Sequence, residues 1–328
     1  MSVQDPVSPS RQLGVEEVLG RVVPYRKIEG IAAVLLPFLP DGRPDFDSFA
    51  NLLKFTLKSG LAPAVNMDTG YVNLISGEQQ IEILRITRDV AGKSRFIAGA
   101  FIAIEDSDVI PAYARQVELV RSFGGLPILF QCAALKQMTS AQIADVYRTV
   151  ARHTDALLAF ELGEMFASFG QIYPLELAQE IMEIPQIQGI KHSSLNRRLE
   201  WARLEIRDRI RPDFKIYTGN DLAIDMVMYG SDYLLGLASF APDFFARRDR
   251  CWHQGDSNFF AINDVLQAIG SYAFRPPVPA YRHSAAQFLK LRGLIACDNP
   301  HPDCPARPKT DREALRHLAD RLEQLALT

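Results

Sequence analysis

The feature that most limits the fold of this chain is a regular alternation of short β-rich runs with longer segments of helical periodicity. The β-rich runs span residues 31–36, 62–67, 96–101, 127–131, 156–161, 187–191, 215–218 and 233–237. The helical segments between and after them span 47–59, 77–91, 108–123, 140–153, 174–183, 195–210, 221–229 and 242–253. Strands that alternate with crossover helices are typical of a parallel sheet.

Eight strands with eight helices favour a closed barrel over an open doubly wound sheet. An open sheet with a nucleotide site would also need a glycine-rich turn after its first strand. Here that turn reads PFLPDGRPD, which contains no G-x-G-x-x-G. We therefore predict the α/β class, as a (β/α)8 TIM barrel with a C-terminal helical extension.

The 328 residues fit one barrel with additions at both ends. We predict an N-terminal leader and short helix at 1–27, the barrel at 28–256 and the helical extension at 257–328. Within the extension, helical character covers 257–273, 281–293 and 311–326. Helix start signals, including a capping box at Ser76, are provided by Asp45 or Asp47, by Ser76 with Gln79, and by Thr139 or Ser140.

The composition of the chain argues against two classes of binding partner, nucleic acid and membrane. With a net charge of -3 and 23% charged residues, the chain has no basic excess for nucleic acid. Its longest apolar stretch, 30–39, covers about half of the roughly 20 residues that a membrane helix needs. The N-terminal MSVQDPVSPSRQ lacks a basic region followed by an apolar one. These features predict a cytoplasmic protein with a disordered leader and no membrane partner.

The four cysteines are too few and too scattered to indicate a disulfide framework, so we expect reduced thiols. One local cluster, Cys297, His301 and Cys304, lies in the stretch CDNPHPDCPARP. A zinc site would need a fourth ligand and closer cysteine spacing. We predict a surface loop there, and neither a metal nor another cofactor.

Lys191 is the candidate nucleophile, because it ends the sixth β-rich run and function in a parallel barrel is found at strand C-termini. Such a lysine is either solvated or half-desolvated in a cleft, where its pKa falls. Only the second state makes it nucleophilic. No H-x-H or H-E-x-x-H motif indicates a metal-dependent enzyme, and no G-x-S-x-G motif indicates a serine hydrolase.

Five segments together resemble the dihydrodipicolinate synthase and N-acetylneuraminate lyase family of class I aldolase barrels. They are GIAAVLLPF with DGRPDFDSF, NMDTGYVNLIS, PQIQGIKHSS, YTGND and LLGLAS, in the family's order over roughly residues 28–295. The resemblance implies a (β/α)8 barrel and a Schiff base of pyruvate or another 2-keto acid on Lys191. It also implies a homo-oligomer, either a dimer or a homotetramer built from dimers.

The loop after the second run departs from the family pattern. The family reads G-T-T-G-E there, with hydroxyls and backbone amides that hold the keto-acid carboxylate. This chain reads Met67-Asp68-Thr69-Gly70-Tyr71. Thr69 and Gly70 keep capture of a carboxylate possible. Asp68 would repel an anionic substrate unless it is protonated or paired.

The fifth run departs as well, with Phe160 where family members carry the tyrosine that relays protons above the Schiff base. A phenylalanine neither donates nor accepts a proton. The tyrosine-bearing turn after the fourth run is replaced by QCAAL, and the family's G-R-T-G arginine has no counterpart in EMFASFG. We therefore do not expect dihydrodipicolinate synthase activity itself.

Three residues are candidates to replace the missing relay, and each has a structural alternative. Glu161 lies on the opposite face of the strand from Phe160, so it could instead pair with a basic residue outside the barrel. Tyr71 could be a packing residue with its hydroxyl in water. Asp68 could cap a turn. His192, which points away from Lys191 on the pleat, is expected to be structural.

The leading hypothesis is a Schiff-base lyase, an aldolase or a dehydratase, acting on a 2-keto acid or related carbonyl compound. We predict Lys191, Tyr71 and Asp68 as catalytic residues. The predicted substrate-binding residues are Thr69, Gly70, Phe160, Glu161, Asn220 and Gly236. The alternative hypothesis is a barrel that has lost catalysis and serves as a small-molecule binding or assembly protein.

Overall fold

Eight parallel strands form a closed barrel, and each strand pairs with its neighbours in sequence order. The structure is a computed structural model that describes residues 14–102 and 108–326. The leader predicted for the N-terminus lies largely at residues 1–13, outside the described residues. The strands are β1 (Gly30–Ala33), β2 (Ala62–Val65), β3 (Ile97–Ala100), β4 (Leu126–Leu129), β5 (Leu157–Leu162), β6 (Ile187–Ser193), β7 (Lys215–Thr218) and β8 (Asp232–Leu235).

Helices surround the barrel and continue beyond it. In the described part of the chain they are α1 (Val15–Gly20), α2 (Phe46–Ser59), α3 (Gly77–Ala91), α4 (Val109–Ser122), α5 (Ala133–Lys136), α6 (Ser140–Ala151), α7 (Leu175–Met182), α8 (Arg197–Ile210), α9 (Pro242–Gln254), α10 (Asn258–Ala273), α11 (Tyr281–Leu291) and α12 (Asp311–Ala326). Short 3-10 helices follow β2, β7 and β8 and precede α11. None of the helices in 14–102 and 108–326 is both long and apolar enough to cross a bilayer.

The predicted TIM barrel is confirmed, because every predicted β-rich run overlaps one strand and the sheet closes. One predicted helical segment differs. Residues 221–229 contain only the 3-10 helix Ile224–Tyr229, which ends at Gly230 in the left-handed region with φ 101°. The connection between β7 and β8 leaves room for only a short helix. Asp221 is held after β7 by its hydrogen bond from Leu237, and Gly230 turns the chain into β8.

The helix start signals are confirmed in detail. The Asp45 carboxylate accepts a hydrogen bond of 3.0 Å from the backbone N–H of Ser48. Ser76 forms the capping box with Gln79 that its spacing predicts. Thr139 forms a second capping box, with Gln142. Each cap satisfies backbone N–H groups that the first helical turn leaves unpaired, so these sequence signals fix where the helices begin.

The C-terminal ends of the strands form the face that we call the barrel mouth, and the chain after α9 packs partly against it. Phe38, at the mouth, forms an antiparallel bridge with Asn299. The ring of His301 lies 5.1 Å from that of Phe38 and 5.8 Å from that of Tyr71, measured between centroids. Cys304 is buried. The predicted surface loop at 297–309 is a loop in the structure, and most of its residues are exposed or half-buried, with Asp298, Cys304 and Arg307 buried.

Candidate active site

Lys191 lies near the C-terminal end of β6, where it pairs in register with Phe160 on β5 and Tyr217 on β7. Its side chain is buried, with only 6% of the residue exposed. The Nζ atom lies 4.3 Å from the centroid of the Phe160 ring. A Cβ atom at Gly219 would lie 3.0 Å from Cε of Lys191, so this glycine leaves space for the lysine side chain. The amine is thus held against an aromatic face, away from bulk solvent.

Burial lowers the pKa of Lys191 from its ordinary 10.5 to about 8, although the charges of Asp221 and Asp68 act in the opposite direction. Burial dominates because an ammonium ion loses its hydration when it is enclosed by apolar groups. With this pKa, roughly a tenth of the amine is neutral at pH 7. Lys191 therefore meets the chemical requirement for a nucleophile at neutral pH.

Asp221, which follows the seventh strand, is not among the predicted catalytic or substrate-binding residues. It is buried at the mouth, where its Oδ1 accepts a 2.8 Å hydrogen bond from the backbone N–H of Leu237. Burial raises the pKa of Asp221 to about 7, although the bond from Leu237 and the charge of Lys191 lower it. A carboxyl group and an amine with converging pKa values can exchange a proton near neutral pH. The only sequence signal for Asp221 is its place three residues after the end of the seventh run.

Asp68 and Thr69, in the 3-10 helix after β2, share one buried hydroxyl partner. The Tyr281 hydroxyl donates to Oδ2 of Asp68 at 2.8 Å and lies 2.9 Å from Oγ1 of Thr69. Gly236, after β8, makes this approach possible. A Cβ atom on it would lie 3.0 Å from Cε2 of Tyr281 and 3.1 Å from Oγ1 of Thr69. Gly236, itself a predicted site residue, therefore lies beside Thr69, and its lack of a side chain leaves room for the Tyr281 ring.

Arg282 pairs with Asp68, so the carboxylate at this position is not isolated. Its Nη1 lies 3.7 Å from Oδ1 of Asp68 and donates to the backbone carbonyl of Asp68 at 3.2 Å. This ion pair, together with the hydrogen bond from Tyr281, offsets the negative charge that would otherwise repel an anionic substrate. Neither Tyr281 nor Arg282 belongs to the predicted site, because both come from α11, more than 200 residues after Asp68.

Gly70 and Tyr71 are engaged in contacts other than those predicted. The backbone N–H of Gly70 donates to the carbonyl of Met67 at 3.0 Å, so it is not available to a substrate carboxylate in this arrangement. Tyr71 adopts the left-handed conformation with φ 59°, and its ring packs edge-on against Phe38 at 5.3 Å. Burial raises the pKa of the Tyr71 hydroxyl. These are the contacts of a packing residue, but Tyr71 is only 1% exposed, so its hydroxyl does not lie in water as the structural alternative supposed.

Glu161, which was predicted to bind substrate, lies on the opposite face of β5 from Phe160. It pairs in register with His192, and its Oε2 contacts Nδ1 of His192 at 2.7 Å. Nε of Arg203, on α8, donates to the same oxygen at 2.6 Å. Burial raises the pKa of Glu161, but the charges of Arg203 and His192 outweigh it and lower the value to about 2. Because strand residues alternate in direction, Glu161 and His192 both point into the layer between barrel and helices, where Glu161 pairs with Arg203.

Asn220 is likewise engaged outside the barrel. Its Oδ1 accepts a 2.6 Å hydrogen bond from the backbone N–H of Leu195, and its Nδ2 donates to Glu200 on α8. Both ends of the amide that was predicted to bind substrate are therefore hydrogen-bonded to protein groups. Asn220 instead fixes the turn that carries Asp221.

Aromatic rings enclose the amine on one side. The Phe130 ring lies 5.0 Å from the Phe160 ring, and Phe169 lies 6.3 Å from Phe130. Phe166 lies 6.3 Å from Tyr281. Such a wall keeps water from the amine and strengthens the interactions of nearby charges. The site thus combines a partly neutral amine, two acidic groups and a low-dielectric surround, which suits covalent carbonyl chemistry.

Comparison with known proteins gives relatives of the same fold. The family described as "Protein of unknown function (DUF993)" matches residues 97–294. A 4-hydroxy-tetrahydrodipicolinate synthase from Laribacter hongkongensis is 27% identical over 259 residues, which are 76% of this chain and 84% of that protein. The resemblance seen in the sequence motifs is confirmed by these relatives.

Solved structures agree on the fold. YagE from E. coli K12, a prophage protein of the dihydrodipicolinic acid synthase family in complex with pyruvate, superimposes with a TM-score of 0.79 at 16% identity. That match covers 92% of this chain and 99% of YagE. The KD(P)GA structure from T. tenax gives a TM-score of 0.72 at 17% identity, over 90% of this chain and 99% of that one. At these identities the likeness concerns the barrel alone.

Proposed function

This chain belongs to the DUF993 family, and we propose that it is a class I lyase that forms a Schiff base between Lys191 and a carbonyl substrate. The observation that carries the proposal is the state of the Lys191 amine. It lies buried against Phe160 at the mouth of a closed barrel, and burial lowers its pKa to about 8. A lysine held in this way is a nucleophile at physiological pH.

The chemistry follows from the iminium. The neutral amine adds to the carbonyl carbon, and the addition product takes up a proton and loses water, which leaves a positively charged C=N bond that withdraws electrons from the neighbouring carbon. Cleavage of a carbon–carbon bond there is an aldolase reaction, and loss of a hydroxyl group is a dehydration. Both reactions pass through the same enamine, and both need an acid and a base near the amine. Asp221 and Asp68 are the acidic groups whose charges act on Lys191.

We infer that the substrate is a 2-keto acid. The names of the curated relatives and the pyruvate complex of YagE support this class. In this chain the ion pair of Asp68 with Arg282 leaves the mouth less negative than the sequence suggests. Phe160 provides no hydroxyl, so we do not propose dihydrodipicolinate synthase activity itself.

We further propose that the protein is cytoplasmic and forms a homo-oligomer, a dimer or a homotetramer, and that residues 257–328 form a helical extension of the barrel at 28–256. The family resemblance supports the oligomer. Light scattering coupled to size exclusion tests it, because a species with the mass of one chain, 36.7 kDa, would contradict it.

Borohydride trapping tests the central proposal. The protein is incubated with each of a panel of 2-keto acids, beginning with pyruvate, and then reduced, and the modified peptide is identified by mass spectrometry. We expect added mass on the peptide that contains Lys191, and none in Lys191→Met. Lys215→Met is the matched control, because Lys215 lies at the start of β7, pairs with Asp232 at 2.8 Å and should leave trapping intact.

Absence of an adduct with every keto acid in the panel would contradict the lyase and favour the alternative, a binding or assembly protein. In that case calorimetry would still detect a bound keto acid that no reductant traps. The two hypotheses thus differ in one measurable property, the covalent bond to Lys191.

A further inference from the structure

Tyr281 begins α11 and reaches from the C-terminal extension into the barrel mouth. Only 2% of the residue is exposed. Its ring stacks on Phe274 with centroids 4.3 Å apart and an interplanar angle of 15°. Gly236 lies against its edge and provides the space. The ring is therefore fixed by packing on several sides, and the position of its hydroxyl is fixed as well.

The Tyr281 hydroxyl links a carboxylate to a second hydroxyl. It donates to Oδ2 of Asp68 at 2.8 Å, while Oγ1 of Thr69 at 2.9 Å can donate to the Tyr281 oxygen. All three groups are buried. A phenol between a base and a second donor is arranged to receive one proton while it passes on another, because the second donor stabilises the charge that develops on its oxygen.

The Tyr281 hydroxyl and the Lys191 amine experience the charges of the same two carboxyl groups. The charges of Asp68 and Asp221 act on the amine of Lys191 and on the hydroxyl of Tyr281 alike. In the closed barrel β2, which precedes Asp68, is four strands away from β6, which carries Lys191. The cluster around Tyr281 therefore lies across the mouth from β6, so a carbonyl compound bound to Lys191 could extend towards it.

We propose that Tyr281 is a catalytic residue that transfers the proton between the substrate carbon and Asp68. The proposal rests on the proposed Schiff base at Lys191. In the iminium, the C–H bond next to the former carbonyl carbon breaks, and its electron pair forms the C=C bond of the enamine. The proton goes to the Tyr281 oxygen as the hydroxyl proton passes to Oδ2 of Asp68, and the iminium nitrogen becomes neutral. Nothing is oxidised or reduced, and the reverse steps return the proton.

Hydrogen–deuterium exchange separates this step from Schiff-base formation. The protein is incubated in D2O with pyruvate, or with the keto acid of the panel that gives the strongest adduct. Deuterium at the carbon next to the carbonyl is followed by NMR, and the Lys191 adduct is measured in parallel. For Tyr281→Phe, which keeps the ring, we expect exchange to fall about 100-fold or more while the adduct stays within about twofold of wild type.

The matched control is Tyr173→Phe. Tyr173 is also buried and its hydroxyl lies 3.3 Å from that of Tyr147, but on the outer side of β5 near Glu161. We expect exchange within about twofold of wild type. Asp68→Asn keeps an acceptor for the Tyr281 hydroxyl but removes the base, so it should lose exchange as Tyr281→Phe does. If thermal unfolding shows that Tyr281→Phe does not fold, the exchange rate of Asp68→Asn tests the role of Tyr281 instead.

The two proposals fail in different ways. Exchange within about threefold of wild type in folded Tyr281→Phe, or in Asp68→Asn, would overturn the role of Tyr281 while the adduct still supports the Schiff base. Absence of any adduct in the wild-type protein would overturn both. Loss of exchange with retention of the adduct supports both.

Discussion

The Nζ atom of Lys191 lies 4.3 Å from the ring centroid of Phe160, its partner in register on the neighbouring strand. The ring face attracts an ammonium ion, whereas enclosure by apolar groups disfavours it. Burial outweighs the charges that act on the amine, because the pKa of Lys191 is lowered to about 8. Phe160 thus contributes to the environment that sets the pKa of the Lys191 amine, although it cannot exchange a proton itself.

The first prediction concerns the pH dependence of trapping. Only the neutral amine adds to a carbonyl, and the pKa of Lys191 is about 8 rather than 10.5. Adduct formation measured by rapid quench with borohydride should therefore rise with pH and reach half of its maximum near pH 8. A half-maximum above pH 10, the value of a solvated lysine, would contradict the buried amine.

The second prediction concerns Asp221→Asn. The negative charge of Asp221 raises the pKa of Lys191, so its removal should lower that pKa further. The half-maximum of adduct formation should then move to lower pH than in wild type. The amide can still accept the hydrogen bond from Leu237 N–H, which limits structural change. A shift to higher pH would contradict the electrostatic link between these two residues.

The third prediction concerns Glu200, a buried carboxyl group that accepts hydrogen bonds from Thr218 at 2.8 Å and Ser231 at 2.6 Å. Burial raises its pKa from 4.5 to about 7, although these bonds lower it. The folded state therefore keeps a proton that the unfolded chain loses above pH 4.5. As the pH rises from 4.5 to 7, wild type should lose stability from this group, by up to about 3 kcal/mol.

Glu200→Gln should not show this loss, because its amide remains neutral. The free energies of unfolding of both proteins are measured by urea denaturation between pH 4.5 and 8. We expect their difference to change in favour of the variant across this window and to level off above pH 7. A constant difference would mean that Glu200 is ionised throughout.

The fourth prediction concerns Arg203→Met, which removes the main cationic partner of buried Glu161. An unpaired buried carboxylate is costly, so we expect the free energy of unfolding at pH 7 to fall by about 3–5 kcal/mol. Arg148→Met is the control, because Arg148 pairs with Glu180 on the surface and should cost less than about 1 kcal/mol. Equal effects of the two substitutions would contradict a structural ion network at Glu161.

The barrel and its lysine could be predicted because their signals are local. Each strand is a short apolar run, and caps such as Asp45 and Ser76 lie within three residues of the groups that they bind. Lys191 ends such a run, so its place at the mouth follows from the fold. The same alternation that brings Phe160 towards Lys191 turns Glu161 towards Arg203.

The rest of the site could not be predicted because it depends on contacts between distant parts of the chain. Tyr281 and Asp68 are separated by 213 residues, and no periodicity or spacing connects them. The pairing of Asp68 with Arg282 depends on how α11 packs over the mouth. Asp221 follows a strand as Lys191 ends one, but its altered pKa arises from burial, which no single segment encodes.

The position of Tyr281 in the chain has a consequence for synthesis on the ribosome. Translation delivers the N-terminal part first, and β8, which closes the barrel, ends at Leu235. The helix that carries Tyr281 and Arg282 emerges only afterwards. When β8 has been synthesised, Lys191, Asp68 and Asp221 are therefore already part of the nascent chain, while the helix with Tyr281 and Arg282 is still to be added.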